Sequence, residues 1–500
     1  MPNSLHSRDL YTVEQLRVLE RKAFAALAVS GTDLMRRAAS AALNSLRRHW
    51  PEARRISIYC GPGNNGGDGF LLGVLAREAG LQVQIIALSD ASHGDAALAR
   101  AAWEADDGQV HRWSSDDTAL PAADVQVDAL YGIGLNRALE SSIATLIECI
   151  NAMDTPVLAL DVPSGINADS GRQLGAAVRA DVTVTFIANK RGLNTGQSAD
   201  YAGLLEVATL GVPEDVYAAA RPDAQLLAVD SLPPRPRYAN KGNNGHVLVI
   251  GGDHGMAGAV RMAGESALRT GAGLVSVATR AGHITALNAA RPELMAHEVD
   301  GPQTLEPLLE RASVIALGPG LGKGAWGHAL WLTALDANKP LVLDADGLNL
   351  LSREHRQFAV ATVLTPHPGE AGRLLGVETK DIERDRFAAA RELAHRYKAV
   401  VVLKGSGSLI ADPSGRLDVC PWGNPGMASG GMGDLLTGII AALLAQGCDA
   451  WQAACLGVGL HARAGDHAAR QGERGLLATD LLPALHALVN GLPAHEHDHV

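Results

Sequence analysis

Short β-branched runs alternate with alanine-rich helical stretches along almost the whole chain, and this alternation constrains the fold more than any other feature. In the first half the strand-like runs are RRISIYC (54–60), LQVQIIAL (81–88), VQVDAL (125–130), PVLALDV (156–162) and DVTVTFI (181–187), with segments such as FLLGVLAREAGL between them. The pattern argues a mainly parallel sheet covered by helices on both faces. Residues 229–245, VDSLPPRPRYANKGNNG, interrupt it, because three prolines and a Gly/Asn cluster continue neither a helix nor a central strand. The alternation then resumes with HVLVIGG, GLVSVAT, SVIALGPG, PLVLDADG, TVLTPHPG and VVVLKGSG. Two α/β domains are expected, 1–225 and 226–492, followed by a disordered tail at 493–500 that carries HEHDHV.

Composition narrows the function classes. Hydrophobic residues at 47% and charged residues at 19% are those of a globular chain. A net charge of −11 without a basic stretch argues against a nucleic-acid partner. Five scattered cysteines form no CxxC pair, which fits reduced thiols and a cytoplasmic location better than zinc or disulfides. The N-terminus lacks the apolar core of a signal peptide. The longest apolar region, 435–463, is broken by Gln446, Asp449 and Gln452, so buried helices are expected there and no membrane association.

In the second domain four strand ends carry unusual residues: GPGLG (318–322), LDADGLN (343–349), TPHPGEA (365–371) and LKGSGS (403–408). Open α/β sheets collect ligands at such ends. Glycines around Ser406 allow the backbone to wrap a phosphate. The stretch NPGMASGGMGDLLTG (424–438) places four glycines before Asp434 at the start of an apolar helix, and no P-loop motif occurs anywhere. A glycine-rich anion hole with an aspartate base is one solution to phosphoryl transfer. Asp434 is expected to stay ionised there, its pKa depressed by the helix start. A plain helix cap would explain the acid and leave the glycines unexplained.

These motifs, together with HGMAGAVRMAGESALRTGAGLVSV, resemble the ribokinase-like NAD(P)H-hydrate dehydratase family over most of residues 240–490. The resemblance implies a ribokinase-like α/β/α domain acting on NADHX and NADPHX, the hydrated forms of the reduced nicotinamide cofactors. The ring hydroxyl would be phosphorylated by ADP, with ATP as the other possible donor, and phosphate then eliminated. It implies Ala259, Gly320 and His367 beside the hydrated dinucleotide, with Asp434 as acid/base. Lys404, Gly405, Ser406, Gly407, Ser408 and Gly433 would surround the adenine nucleotide. Mg²⁺ is expected with the nucleotide phosphates, and Asp344 and Asp346 are further candidates for Mg²⁺ or phosphate-side electrostatics.

The first domain carries YCGPGNNGGDGF at 59–70. Gly61, Gly63 and Gly66 satisfy G-x-G-x-x-G and Asp90 follows the next strand, a dinucleotide-dehydrogenase reading weakened by the same match in GKGAWG (322–327). NNGGDG instead offers hard oxygen donors in a tight turn, and with Asp128 and Ser164 it could hold an alkali or alkaline-earth cation, against ordinary turn and cap roles. NNGGDG, DALYGIGLNR, LALDVPSGIN and TFIANKRGL, after LYTVEQLRVLERKA, resemble the NAD(P)H-hydrate epimerase family over about residues 10–215. This implies a Rossmann-like three-layer α/β/α domain with K⁺ at Asn65, Asp128 and Ser164. Substrate contacts would come from Asn64, Asn65, Gly66, Gly67 and Asp68, and from Gly132, Ile133, Gly134, Leu135, Asn136, Arg137 and Ala138. Asp161 would be the acid/base, with electrostatic help from Lys190. Arg36 stands where the family usually has an acid, which bears on a surface or subunit contact; a homo-oligomer is expected. Two other readings stay open: a ribokinase-like small-molecule kinase, and a first domain used for sensing or docking.

Overall fold

The computed structural model describes residues 7–90, 93–114, 120–229 and 232–492, so the tail expected to be disordered lies outside the described residues. Internal contacts divide the chain into two units, Met1–Gln225 and Leu226–Val500.

In the first unit seven strands form one sheet in the order Val110–Arg112, Gln82–Ala87, Arg55–Cys60, Val125–Ala129, Val157–Leu160, Val182–Phe186, Leu204–Ala208. Every neighbouring pair is parallel. The period of two sorts the side chains of the central strand. Ile56, Ile58 and Cys60 pack in one cluster with residues of helices Gly31–His49, Asn64–Glu78 and Asp95–Ala105. Tyr59 packs instead with Leu146, Ile147 and Ile150 of helix Ser141–Ala152. The chain runs outward from Arg55–Cys60 to Val110–Arg112, then returns to lay Val125–Ala129 on the other side of Arg55–Cys60. Where strand order reverses, helices diverge and a crevice opens at the carboxyl ends. A short strand, Asp9–Tyr11, runs parallel to Asn189–Lys190 and antiparallel to Ala224–Leu226. It delivers helix Val13–Leu27, whose start is closed by a Thr12–Gln15 capping box.

The second unit repeats this logic. Seven parallel strands stand in the order Met295–Glu298, Leu274–Thr279, His246–Ile250, Val314–Leu317, Leu341–Leu343, Thr362–Leu364, Val400–Leu403. Leu409–Ala411 and Leu417–Val419 extend the sheet antiparallel. The reversal lies between His246–Ile250 and Val314–Leu317. All six strand-like runs expected here are strands. The three-residue pieces Leu409–Ala411 and Leu417–Val419 are too short to display a period in the sequence.

Val247, Val249, Val275 and Val277 bury one face against Ile439, Ile440 and Leu443 of helix Met432–Ala445. That helix packs on Ala257–Thr270 at backbone distance. A Cβ on Gly438 would stand 1.9 Å from the Ala263 carbonyl oxygen, and Ser266 Oγ donates to the Leu435 carbonyl at 2.9 Å. All five cysteines are free thiols. Among the described residues no helix is long and apolar enough to cross a membrane. Gly438→Val should force the two helices apart and cost about 1–3 kcal/mol or more. Gly258→Ala, where a Cβ meets open space, should be neutral or stabilising. Denaturant unfolding checks both, and equal effects would mean that the close approach does not govern this packing.

Candidate active sites

The first crevice holds a cavity of about 480 Å³. Its walls include Asn64, Asn65, Asp68, Gly132, Ile133, Gly134, Leu135, Asp161 and Lys190. Gly66, Gly67 and Asn136 to Ala138 do not line it. The expected tight turn at NNGGDG is corrected by the structure: helix Asn64–Glu78 begins at the first amide, so both amides occupy its first turn. Glycine is a poor helix former, but here packing overrides propensity. A Cβ on Gly66 would lie 1.9 Å from the Gly61 carbonyl oxygen, so only glycine lets the helix start this close to the strand end.

Asp161 adopts a left-handed backbone conformation, φ 66°, as does the β-branched Ile187, φ 67°. Strained residues persist where the surroundings over-determine them, often at functional sites. Lys190 Nζ lies 2.5 Å from Asp161 Oδ1 and donates to the Phe186 carbonyl at 2.7 Å. Phe186 N–H in turn donates to Asp161 Oδ1 at 3.2 Å. Burial lowers the Lys190 pKa despite the opposing pull of Asp161. Burial, then the charges of Asp161 and Glu20, push the Asp68 carboxyl well above the usual carboxylate range.

Behind this wall Asp128 is fully buried. Its Oδ1 accepts from Ser164 Oγ at 2.6 Å and its Oδ2 from Ser164 N–H at 2.7 Å. Burial raises its pKa to about 6 against those hydrogen bonds. Among the described residues no basic side chain pairs with it. Tyr131 N–H donates to Ser164 Oγ at 2.8 Å, and a Cβ on the next residue, Gly132, would be 3.5 Å from Asn65 Cγ. Both side-chain polar atoms of Asn65 are buried without a partner. An orphaned amide, an uncompensated carboxylate and a hydroxyl are hard oxygen donors, and they fit a cation such as K⁺. Asp90 is instead spent on Arg112 at 2.9 Å, with both side chains about two-thirds exposed, which removes the acid of the dehydrogenase reading. Arg36 pairs at the surface with Glu78 at 3.7 Å.

In the second unit the strand ends meet at Lys404. Its Nζ lies 2.8 Å from Asp344 Oδ1 and 3.9 Å from Glu370 Oε2. Thr437 Oγ1 donates to Asp344 Oδ2 at 3.1 Å. A Cβ on Gly433 would stand 3.1 Å from Asp344 Oδ2 and 3.2 Å from Lys404 Nζ, so the start of helix Met432–Ala445 abuts this ion pair. Burial works against the Lys404 charge, but Asp344 and Glu370 more than offset it and hold its pKa above the ordinary lysine value. Burial likewise works against Asp344, and Lys404 outweighs it to keep that carboxyl low.

The expectation that Asp434 has a depressed pKa is overturned. Burial and the neighbouring Asp344 charge raise it to about 7, with Lys404 only partly opposing. Desolvation of a carboxylate outweighs a helix dipole, which is worth about 1 kcal/mol. His367 caps helix Pro368–Leu375, its Nδ1 accepting from Gly369 N–H at 3.0 Å while Glu370 reaches back to the His367 N–H at 2.9 Å. Burial, then Lys404, lowers the His367 pKa. Ala259 and Gly320 lie side by side at the strand-order reversal, a Cβ on Gly320 coming within 3.3 Å of Ala259 Cβ. The loop from Lys404 to Ser408 folds on itself, Ser408 Oγ donating to the Gly405 carbonyl at 3.0 Å, with φ positive at Gly405 and Gly407. Asp346 stands apart: it accepts from Gly322 N–H at 3.0 Å and Asn349 Nδ2 at 3.1 Å and so ties a loop to a helix. Among the described residues no group of three or more His, Cys, Asp or Glu side chains is arranged to hold a metal ion.

Comparison with known proteins matches both units. The family model described as NAD(P)H-hydrate dehydratase matches residues 247–486, and that of the YjeF-related protein N-terminus matches residues 31–192. The bifunctional NAD(P)H-hydrate repair enzyme Nnr of Coxiella burnetii is 49% identical over 486 residues, covering 96% of this chain and 99% of that protein. The chain belongs to the bifunctional NAD(P)H-hydrate repair enzymes. The Escherichia coli member is 43% identical over 492 residues, covering 96% of this chain and 94% of its own length. A solved ADP/ATP-dependent NAD(P)H-hydrate dehydratase from Bacillus subtilis, co-crystallized with ATP/Mg²⁺, aligns at TM-score 0.47 with 31% identity, over 51% of this chain and 93% of its own.

Several residues of these crevices are not singled out by motif reading. Glu370 lies within TPHPGE, where His367 draws attention first; the H-x-x-E spacing of a capping box is the signal that places it. Burial, with Asp344 adding to it, raises the Glu370 pKa to about 7 against the pull of Lys404. Thr437 and Glu20 lie inside the stretches NPGMASGGMGDLLTG and LYTVEQLRVLERKA, but nothing in the local spacing singles them out there. His461, pushed to about 4 by burial, has its Nε2 buried without a partner and feels the Lys404 charge.

The raised Asp434 pKa fixes a sign for stability. Between about pH 4 and 7 the folded carboxyl keeps a proton that the unfolded one releases, so its contribution is present at low pH and lost as pH rises through about 7. Asp434→Asn should therefore gain stability relative to the native chain across that range. Urea unfolding of the ligand-free proteins at pH 4, 5.5 and 7.5 checks this, and a difference that shrinks with pH would contradict the assignment.

Proposed function

We propose that this chain repairs hydrated NADH and NADPH. Its first unit interconverts the R and S hydrates, and its second dehydrates the S form with ADP as phosphoryl donor, releasing AMP and phosphate. The observation that carries this reading is Asp434, a carboxyl of near-neutral pKa at a glycine-lined helix start beside the Asp344–Lys404 pair. A base poised near pH 7 suits removal of the hydroxyl proton as the phosphoryl group arrives. Lys404 and the free N–H groups at the start of helix Met432–Ala445 offer positive charge to the phosphate oxygens. The loop from Lys404 to Ser408 supports nucleotide binding by its backbone. Asp344 and Glu370 would hold Mg²⁺ arriving with the nucleotide, and that charge would neutralise the phosphates. Once the hydroxyl is esterified, the ring nitrogen pushes phosphate out, and loss of a proton from the adjacent carbon restores the double bond.

In the first unit the Asp161–Lys190 pair faces the cavity where the hydroxyl would sit. Protonation lets that hydroxyl leave as water, the ring nitrogen stabilises the cation, and water returns from the other face. Asn65, Asp128 and Ser164 would hold K⁺, whose fixed positive charge would order these strand ends. The net charge of −11 supports small-molecule partners over nucleic acid.

With both hydrate epimers and ADP or ATP, the purified protein should restore the absorbance of the reduced nicotinamide. Accumulation of a phosphorylated product alone would make it a kinase instead. Asp434→Asn should slow recovery by about a hundredfold or more with an unchanged circular dichroism spectrum. Asp161→Asn should leave one epimer to decay at its spontaneous rate. Replacing K⁺ by tetramethylammonium should slow epimerisation alone; an undiminished rate would remove the cation from the scheme.

A further inference from the structure

Leu16, Glu20 and Phe24 follow one another at spacing four on helix Val13–Leu27, and all three line the cavity of the first unit. Such a stripe is the inward face of an amphipathic helix, and an acid at its centre is out of place on packing grounds. Among the described residues Glu20 has no hydrogen-bond or ion-pair partner. A half-buried carboxyl left unpaired costs stability and is free to serve a ligand.

We propose that Glu20 is the second proton-transfer group of this site. It takes the proton from the water that adds to the ring carbon, while the Asp68–Asp161–Lys190 cluster gives one to the departing hydroxyl. The inference rests on the epimerisation reading above. Epimerisation through a planar cation requires two proton transfers, one to the departing hydroxyl and one from the added water, and a carboxyl that has just given its proton to the first is not the group to take the second. Glu20 comes from a separate element. In the step, the old C–O bond breaks with its electron pair leaving on a protonated oxygen, as water. A lone pair of a solvent water forms the new C–O bond, and that water's proton passes to Glu20. The cluster loses the proton that Glu20 gains, and exchange with solvent through the cavity mouth resets both.

The charges facing Glu20 fit this division. Arg17 and Arg21 lie on its own helix, Asp68 on helix Asn64–Glu78, and Asp161 and Lys190 at strand ends; Asp95 and Tyr131 line the same cavity. Burial, then the Asp161 charge, raises the Glu20 pKa, with Lys190, Arg17 and Arg21 opposing.

The test uses the full chain and isotopically labelled water. The native protein should exchange the ring hydroxyl oxygen with H₂¹⁸O at the rate at which it interconverts the epimers. Glu20→Gln should lower kcat for epimerisation about a hundredfold with KM little changed, and should remove the acidic limb of its pH profile. Glu20→Asp should recover part of the rate. Dehydration of pure S hydrate by the second unit should be unaffected in both variants, and an unchanged circular dichroism spectrum and urea midpoint of the first unfolding step control for folding of the first unit. Glu20→Gln retaining a native rate and pH profile would overturn the proposal, and so would a loss that appears only in KM. A native chain that does not accelerate epimerisation at all would instead defeat the reading on which it rests.

Discussion

Everything functional in this chain hangs on one topological constraint, applied twice. A parallel sheet that starts from a central strand, builds outward on one side and then returns to the other cannot keep its connections together. The helices on either side of the starting strand part, and the carboxyl ends beneath them stay uncovered. In the first unit the gap lies between Arg55–Cys60 and Val125–Ala129; in the second it lies between His246–Ile250 and Val314–Leu317. Asp68, Asp161, Asp344 and Lys404 are borne by segments leaving the carboxyl ends of sheet strands, so the sheets fix where these side chains converge.

The two crevices share an electrostatic plan. In each, one buried or partly buried lysine is surrounded by three carboxyls: Lys190 by Asp161, Asp68 and Glu20, and Lys404 by Asp344, Glu370 and Asp434. One partner forms a close ion pair, and the other two lack full compensation, so their pKa values rise. The arrangement gives each site carboxyls that hold protons more tightly than free ones, beside a positive charge, and in the second site Glu370 and Asp434 exchange them at about 7. Excess negative potential in the first crevice also favours a cationic ring over its neutral precursor, which is binding directed to the transition state and not to the substrate. In the second it suits a divalent ion accompanying phosphates.

Much of this was legible in the residues. The strand runs announced both sheets because β-branched, fully buried strands leave a strong local signal, and glycine-rich strand ends such as NNGGDG and SGGMGD marked the crevices. Contributions from isolated positions were not legible. Glu20 reads as an ordinary helical acid until the fold turns its stripe toward a cavity, and Thr437 gains a role only because Asp344 arrives from another strand. Charge states were the least accessible. Asp434 looked ionised from its place at a helix start, whereas its pKa depends on burial and on a carboxylate 90 residues away in the chain. NNGGDG looked like a turn because glycine disfavours helices, and only the Gly61 backbone packed against Gly66 reverses that preference.

The backbone-to-backbone contact at Gly438 has a consequence for how such a site can change. Helices Ala257–Thr270 and Met432–Ala445 carry Ala259 and Asp434, and their interlocked register lets neither slide without moving the other. The distance between Ala259 and Asp434 is thereby inherited as a unit. Adaptation to a different alcohol must come through the loops at 318–322 and 404–408, which can be rebuilt piecemeal. Directed evolution of this scaffold would accordingly find its productive diversity in those loops, while the helix pair acts as a ruler that sets how far Asp434 reaches.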